Sequence, residues 1–322
     1  YHERYEEGGV DFHVWAYGDT PPQHLKFIED HKAFSKSQIA HFGDFPTSHY
    51  HFLYLLPSEI EARHGVEHED STVIALGPSD KIQSQHGYDE LVGIASHELY
   101  HSWNVKRIRP AEWTPYNFAE TSPSKLGYIA EGVTTYMGDL FLFEAGCIDL
   151  KGWCSKMEAL LLRHLNNPGR HNLSVAESSY DTWLDGYKLG SPNRKTSIYP
   201  DAALCMLMID LEIIRNSNGK YSLHSVMKEL YEEFALKEKG YNEDDFRNIC
   251  VKFGGLKVAE IFENHIYGTE DYIDNLKSAL DVVGLLLEDK KNPNLSAQYF
   301  GFVSAKENGE IIIKKVEPNS IT

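Results

Sequence analysis

No stretch of this sequence is apolar for long enough to cross a bilayer, which takes about 20 residues in a helix. Basic residues are also too few to form a cationic surface: lysine and arginine number 31 against 48 aspartates and glutamates, a formal net charge of −17 at pH 7. That balance argues against nucleic acid and anionic membrane as partners. Cysteine is scarce, and Cys147, Cys154, Cys205 and Cys250 make no CxxC pair and no zinc-ribbon spacing. Single buried thiols are the plain reading, with a Cys147–Cys154 bridge left open for an oxidising compartment. Internal repeats, low-complexity tracts and a starting methionine are all absent. A chain that begins at Tyr1 reads as an excised or processed piece whose targeting segment would have been lost. The expectation for its setting stops at a soluble protein of a bacterial cytoplasm or periplasm.

What is present is a folding composition. The 322 residues are 42% apolar and 12% aromatic, enough for one large domain or two ordinary ones with a real core. "DFHVWAYG" (11–18) alternates as a half-buried strand does. "PPQHLKFIEDHKAFSKSQIAHFG" reads as a helix opened by proline and closed by Gly43, and "YHFLYLL" and "STVIAL" read as two more strands. From Tyr88 onward the spacing turns helical, over roughly 88–106, 124–146, 149–166, 200–216, 221–237 and 242–253. Mixed elements followed by helices imply an α+β fold with a helical second lobe. Near 286 the register changes again. The charged, turn-rich "EDKKNPN" resembles a linker, and "YFGFVSAKENGEIIIKKVEPNSIT" holds two short strands around "ENGE". Domains are therefore expected at 1–285 and 286–322, the second incomplete.

"GIASHELYHSWNVKRIRP" (93–110) carries the chemistry. His97 and His101 stand four apart on an expected helix, so they share one face a turn apart, a separation one tetrahedral Zn²⁺ can bridge. Glu98 is rotated by about 100° from His97, where a general base for an activated water belongs. His-Glu-x-x-His alone is loose; a zinc hydrolase needs a third protein ligand and an open position. "LGYIAEGVTTYMGDLFLFEAG" (126–146) supplies the candidate. Glu131 sits between Ile129, Ala130 and Val133, where a carboxylate is costly unless paired or metal-bound. Asp139, two turns on, is either a partner for a ligating histidine or a plain surface aspartate.

"SHELYHSWNVKRIRP" together with "YIAEGVTTYMGDL" resembles the glycyl aminopeptidase family, gluzincin zinc metallopeptidases with a thermolysin-like catalytic domain. The likeness extends to "FGDFPTSHYHFLYLL", "HGVEHEDSTVIA" (64–75), "SVAESSYDTWL" (174–184) and "YPDAALCMLMIDLEIIR" (199–215). It implies a zincin catalytic domain with a small mixed β-sheet lobe and a helical lobe, followed by the start of a PDZ-like β domain. "YFGF" near 299 resembles the loop that opens such a domain, and the family's N-terminal β-domain is missing. The resemblance assigns His97, His101 and Glu131 as zinc ligands and Glu98 as catalytic base. It matches Glu67 to a glutamate that binds the substrate's free α-amine, and Tyr199 to a tyrosine that donates to the oxyanion. The family pattern Tyr-x-Lys-Gly-Ala here reads Tyr199-Pro200-Asp201-Ala202-Ala203. That departure puts Tyr199's aim in question, although proline is well tolerated in a first helical turn. Lys106 and Arg107 also match, either as cations at a helix end or as substrate contacts.

The expected function is zinc-dependent hydrolysis of the first peptide bond of peptides with a free N-terminus, with small residues such as glycine or alanine preferred. An endopeptidase on the same scaffold would not need Glu67. A peptide-binding scaffold with a decayed site and a working PDZ-like module is the alternative of another class, with a peptide as the ligand of that module.

Overall fold

The computed structural model describes residues 1–18, 22, 25–185, 191, 193–291, 294–307 and 309–316. Strands β1 (His2–Glu7) and β2 (Val10–Gly18) open the chain, then α1 (Phe27–Phe42), β3 (His49–Leu56), β4 (Ala62–Glu67) and β5 (Ser71–Gly77). Helix α2 (Gln85–Tyr100) is followed by a π-helical turn, Tyr128–Val133, that runs directly into α3 (Thr134–Glu144). The helical lobe adds α4 (Leu150–Leu165), α5 (Val175–Asp185), α6 (Pro200–Ser217), α7 (Leu223–Glu233), α8 (Glu243–Ile261) and α9 (Ile273–Asp281). The short α10 (Leu295–Phe300) precedes the hairpin β6 (Phe302–Glu307) and β7 (Glu310–Val316). The expected α+β class holds. Pro21, Gln23, His24, the hairpin residue Asn308 and residues 317–322 lie outside the described residues.

The five-stranded sheet runs β1-β2-β3-β5-β4. Pairings β2–β3 and β3–β5 are parallel, whereas β1–β2 and β4–β5 are antiparallel. Alternation along β2 and β3 buries Phe12, Val14, Tyr50, Phe52 and Tyr54 on one face, as a period of two requires. Helix α1 covers that face with Phe27, His31, Phe34, Gln38, Ile39 and Phe42. It ends where Gly43 takes φ 94°, with its N–H donating to the Ile39 carbonyl at 2.7 Å. Polar ties fix the stack: Tyr54 O–H donates to His31 Nε2 at 2.6 Å, and Gln38 Nε2 donates to the Ser96 carbonyl at 3.0 Å.

Two strands were not expected. β1 is too short and charged to alternate, and β4 ("ARHGVE") is a polar edge strand with no buried apolar row. Helix α6 is the axis of the helical lobe: Pro200 through Ile213 are all buried, as befits a helix packed on all sides. Helix α2 stops at Tyr100, short of the expected 106. Its continuation is refused by Asn104, which is fully buried and donates through Nδ2 to the carbonyls of Ile129 and Ala130 and to Thr134 Oγ1. An amide that bonds a neighbouring segment competes with the helix ladder. All four cysteines are free thiols. No helix among the described residues is long and apolar enough to cross a membrane.

Candidate metal centre and its cleft

His97 lies in the last turn of α2 and His101 caps it. Their Nε2 atoms face each other at 3.1 Å. His101 Nδ1 donates to the Asn104 carbonyl at 2.7 Å, which fixes the ring and leaves Nε2 for the centre. Asn104 therefore ends the helix and aims its histidine. Glu131 arrives from the π-helical turn, with Oε2 at 3.3 Å from His97 Nε2 and 3.5 Å from His101 Nε2. One donor atom from each of the three lies within 4.8 Å of the other two. Glu131 Oε2 is buried and receives no hydrogen bond.

Burial disfavours charge on both Glu131 and His101, but their mutual attraction outweighs it. Glu131 is held well below the usual carboxylate range, and His101 is raised to about 10. Two imidazole nitrogens and a carboxylate oxygen, converging in a buried anionic spot, are the donor set that zinc accepts. The same spot suits a cation of any kind on electrostatic grounds.

Glu98 is 5% exposed, and its Oε2 has no hydrogen-bond partner. Burial pushes its carboxyl up, with His97 and His101 opposing. Above it runs β4: a Cβ on Gly65 would lie 2.1 Å from Glu98 Oε1. At the end of that strand Glu67 brings a carboxylate within 4.8 Å of donor atoms of Glu98 and His101. Tyr199 stands at the N-terminus of α6, its ring 6.5 Å from that of His97 and tilted by 28°. All of these residues line one cleft of about 730 Å³, walled by β4, α2, α4 and the segment 195–199.

Residues 90–205 match the M61 glycyl aminopeptidase family. The family resemblance read from the sequence motifs is thus shown over the segment that supplies His97, Glu98, His101, Glu131 and Tyr199. Among solved structures, the chain is similar to an aminopeptidase N family protein from Idiomarina loihiensis, at 25% identity and a TM-score of 0.88 over 99% of this chain and 57% of that one. It is also similar to an M1 zinc metallopeptidase from Deinococcus radiodurans in a form bound to a Tyr-Ser-Ala substrate. That match has 12% identity and a TM-score of 0.54 over 84% of this chain and 52% of that one, a likeness of fold. The chain thus spans little more than half the length of these proteins. No curated protein matches it.

The glycyl aminopeptidase pattern is altered at 200–202, and the altered residues have local partners. Pro200 opens α6 without breaking it. Asp201 is fully buried and accepts from His164 Nδ1 at 2.5 Å and from the Ser197 N–H at 3.1 Å. Ser197 Oγ in turn accepts from the Tyr199 N–H at 3.3 Å, so Asp201 belongs to the support of the Tyr199 segment. Ala202 packs against Gly132, where an added Cβ would stand 2.3 Å from Ala202 Cβ. Asp139 is neither a histidine partner nor a plain surface aspartate; it pairs with Lys156 at 2.9 Å inside the cleft. Arg107 is tied to Glu69 at 2.7 Å and to the Pro46 carbonyl at 3.4 Å, a structural role.

Sequence reading missed Gly65, His164, and the wall that α4 presents. Lys156, Leu160 and Arg163 of α4 line the cleft, joined by Asn167 just beyond the helix. The spacing of the first three, four and then three residues, was a visible helical face.

Proposed function

We propose that residues 1–285 form the catalytic part of a zinc-dependent aminopeptidase that releases small N-terminal residues, glycine or alanine, from peptides. The observation that carries this is the convergence of His97 Nε2, His101 Nε2 and Glu131 Oε2 in a cleft that also holds Glu98, Glu67 and Tyr199. His97, His101 and Glu131 would hold the zinc ion. Bound zinc supplies Lewis acidity for a substrate carbonyl and lowers the pKa of water toward about 7.

The remaining work falls to side chains of the chain itself. Glu98 takes the proton of the attacking water and returns it to the leaving amine. Glu67 accepts hydrogen bonds from the substrate's α-ammonium, which registers the first peptide bond over the centre. The Tyr199 hydroxyl donates to the oxyanion that develops only in the transition state. The charged stretch after Gly284 and the hairpin β6–β7 support reading residues 286–322 as the start of a PDZ-like unit with a peptide ligand.

The test is zinc-dependent hydrolysis of an alanine- or glycine-initiated peptide beside its N-acetylated twin. Cleavage of the free peptide alone, lost in Glu98→Gln with zinc still bound, is the expected outcome. Equal cleavage of both would make the protein an endopeptidase. Cleavage of neither by zinc-loaded protein would favour the scaffold.

A further inference from the structure

We infer that Arg163, with Arg63 across the cleft, forms a carboxylate subsite on the leaving side of the scissile bond, so that the substrates are short peptides of three or four residues. The inference rests on the aminopeptidase reading above and adds a substrate class to it.

The first observation is a charge census. Among the groups lining the cleft, Glu131 faces His97 and His101, Asp139 pairs with Lys156, and Glu90 pairs with Arg63. Arg163 has no ion pair or hydrogen bond among the described residues, although the chain carries 48 acidic side chains. Arg163 as a whole is solvent-exposed; partial desolvation of its guanidinium, and then the charge of Arg63, push it down from its ordinary value, with Asp201 and Tyr199 opposing. A protein this acidic that brings two guanidiniums within range of each other, one of them unpaired, has a place for an anion.

The second observation is register. Arg63, Gly65 and Glu67 alternate along β4 and all line the cleft. Gly65 faces Glu98, so that face of the strand looks onto the reacting centre. Glu67 and Arg63 are four residues apart, about 13 Å between Cα atoms at about 3.3 Å per residue. A tripeptide laid extended beside the strand covers about 10 Å. With its ammonium at Glu67, its far end reaches the space between Arg63 and Arg163. The strand thus carries an anion at one end, a gap over the catalytic carboxylate in the middle, and a cation at the other end. α4 supplies the second cation.

The probes are Ala-Ala-Ala, its C-terminal amide, and Ala-Ala-Glu-amide. In the zinc-loaded wild type, kcat/KM for the acid should exceed that for the amide by at least about 10-fold, the size of one charge-assisted contact. In Arg163→Gln that ratio should fall to within about 2-fold of unity. Arg163 bonds no other described residue, so the variant should fold. Recovery of rate with Ala-Ala-Glu-amide would extend the subsite to acidic side chains; no recovery would confine it to C-terminal carboxylates, and either result upholds it. Equal rates for acid and amide in the wild type would overturn the subsite and leave the peptidase reading standing. If no probe is cleaved, the peptidase reading falls, and calorimetric binding of acid and amide to the Glu98→Gln protein decides the subsite. Tighter binding of the acid by about 10-fold, abolished by Arg163→Gln, upholds it; equal binding overturns it.

Discussion

Gly65→Ala is the sharpest perturbation this cleft offers, because it replaces neither a donor to the metal nor any residue assigned a chemical role, yet presses on Glu98. The new methyl would lie 2.1 Å from Glu98 Oε1 and 2.6 Å from Cδ, whereas ordinary contact begins at 3.4 Å. Either the carboxylate retreats by about 1.3 Å or the strand does. Glu98 is 5% exposed, so its carboxylate has no free solvent to swing into and must crowd the histidines or Glu67. Misplacement of a catalytic group by about 1 Å costs on the order of 100-fold in rate, or about 2.7 kcal/mol. The assay is kcat and KM on an alanine peptide at saturating zinc, with zinc content and thermal unfolding measured on the same sample. We expect kcat to fall about 100-fold, with zinc still bound. In a Glu98→Asp background, where a methylene has already been removed, Gly65→Ala should cost much less, a coupling that neighbouring sites show. A Gly65→Ala protein with kcat within about 3-fold of wild type, against the order of 100-fold expected here, would refute the placement of Glu98 as base under β4.

Three further outcomes are expected. Removing zinc with a chelator should lower the unfolding temperature, and adding it back should restore it, because a ligand bound 1,000-fold above its Kd adds about 4 kcal/mol. Glu131→Gln should shrink that difference, and an unchanged shift would take Glu131 out of the centre. Gly132→Ala should destabilise the fold by about 1–3 kcal/mol through overpacking, since its Cβ would meet Ala202 Cβ at 2.3 Å. Ala202→Gly should recover part of that loss in urea titrations, and no recovery would mean the contact is not the cause. Burial lowers His31 from 6.5 to about 4, so the unfolded chain takes up a proton before the folded one does and stability falls as pH drops through that window. Between pH 7 and pH 5 the wild type should lose about 2 kcal/mol at this one site. The stability gap between wild type and His31→Phe should narrow by that amount, and a constant gap would contradict the assignment.

Much of the centre was legible because its signals are local. The spacing of His97 and His101 is a helical face, and Glu131 stands out as a carboxylate in an apolar run. The α+β class followed from the change of period near Tyr88. What stayed hidden depends on contacts distant in sequence. β4 gives no alternation because its exposed edge has nothing to bury, so Gly65 and Arg63 carried no pattern. The end of α2 is decided by Asn104 reaching to 129–134. The support of Tyr199 comes from His164, 37 residues before Asp201. Periodicity at 3.6 also cannot disclose a turn of a different pitch, and Glu131 sits in one.

That turn at Tyr128–Val133 makes the third donor depend on a count as well as on an identity. Each residue of an ordinary helix advances the azimuth by about 100°, so deleting one residue here would restore the common ladder and swing Glu131 away from His97 and His101. α3 downstream could keep its seat against α2 only by leaving the carboxylate behind. Point changes in this segment are filtered by shape, as at Gly132, and can be compensated by a neighbour. A change of length has no such remedy, so these six positions tolerate a changed residue better than a lost one.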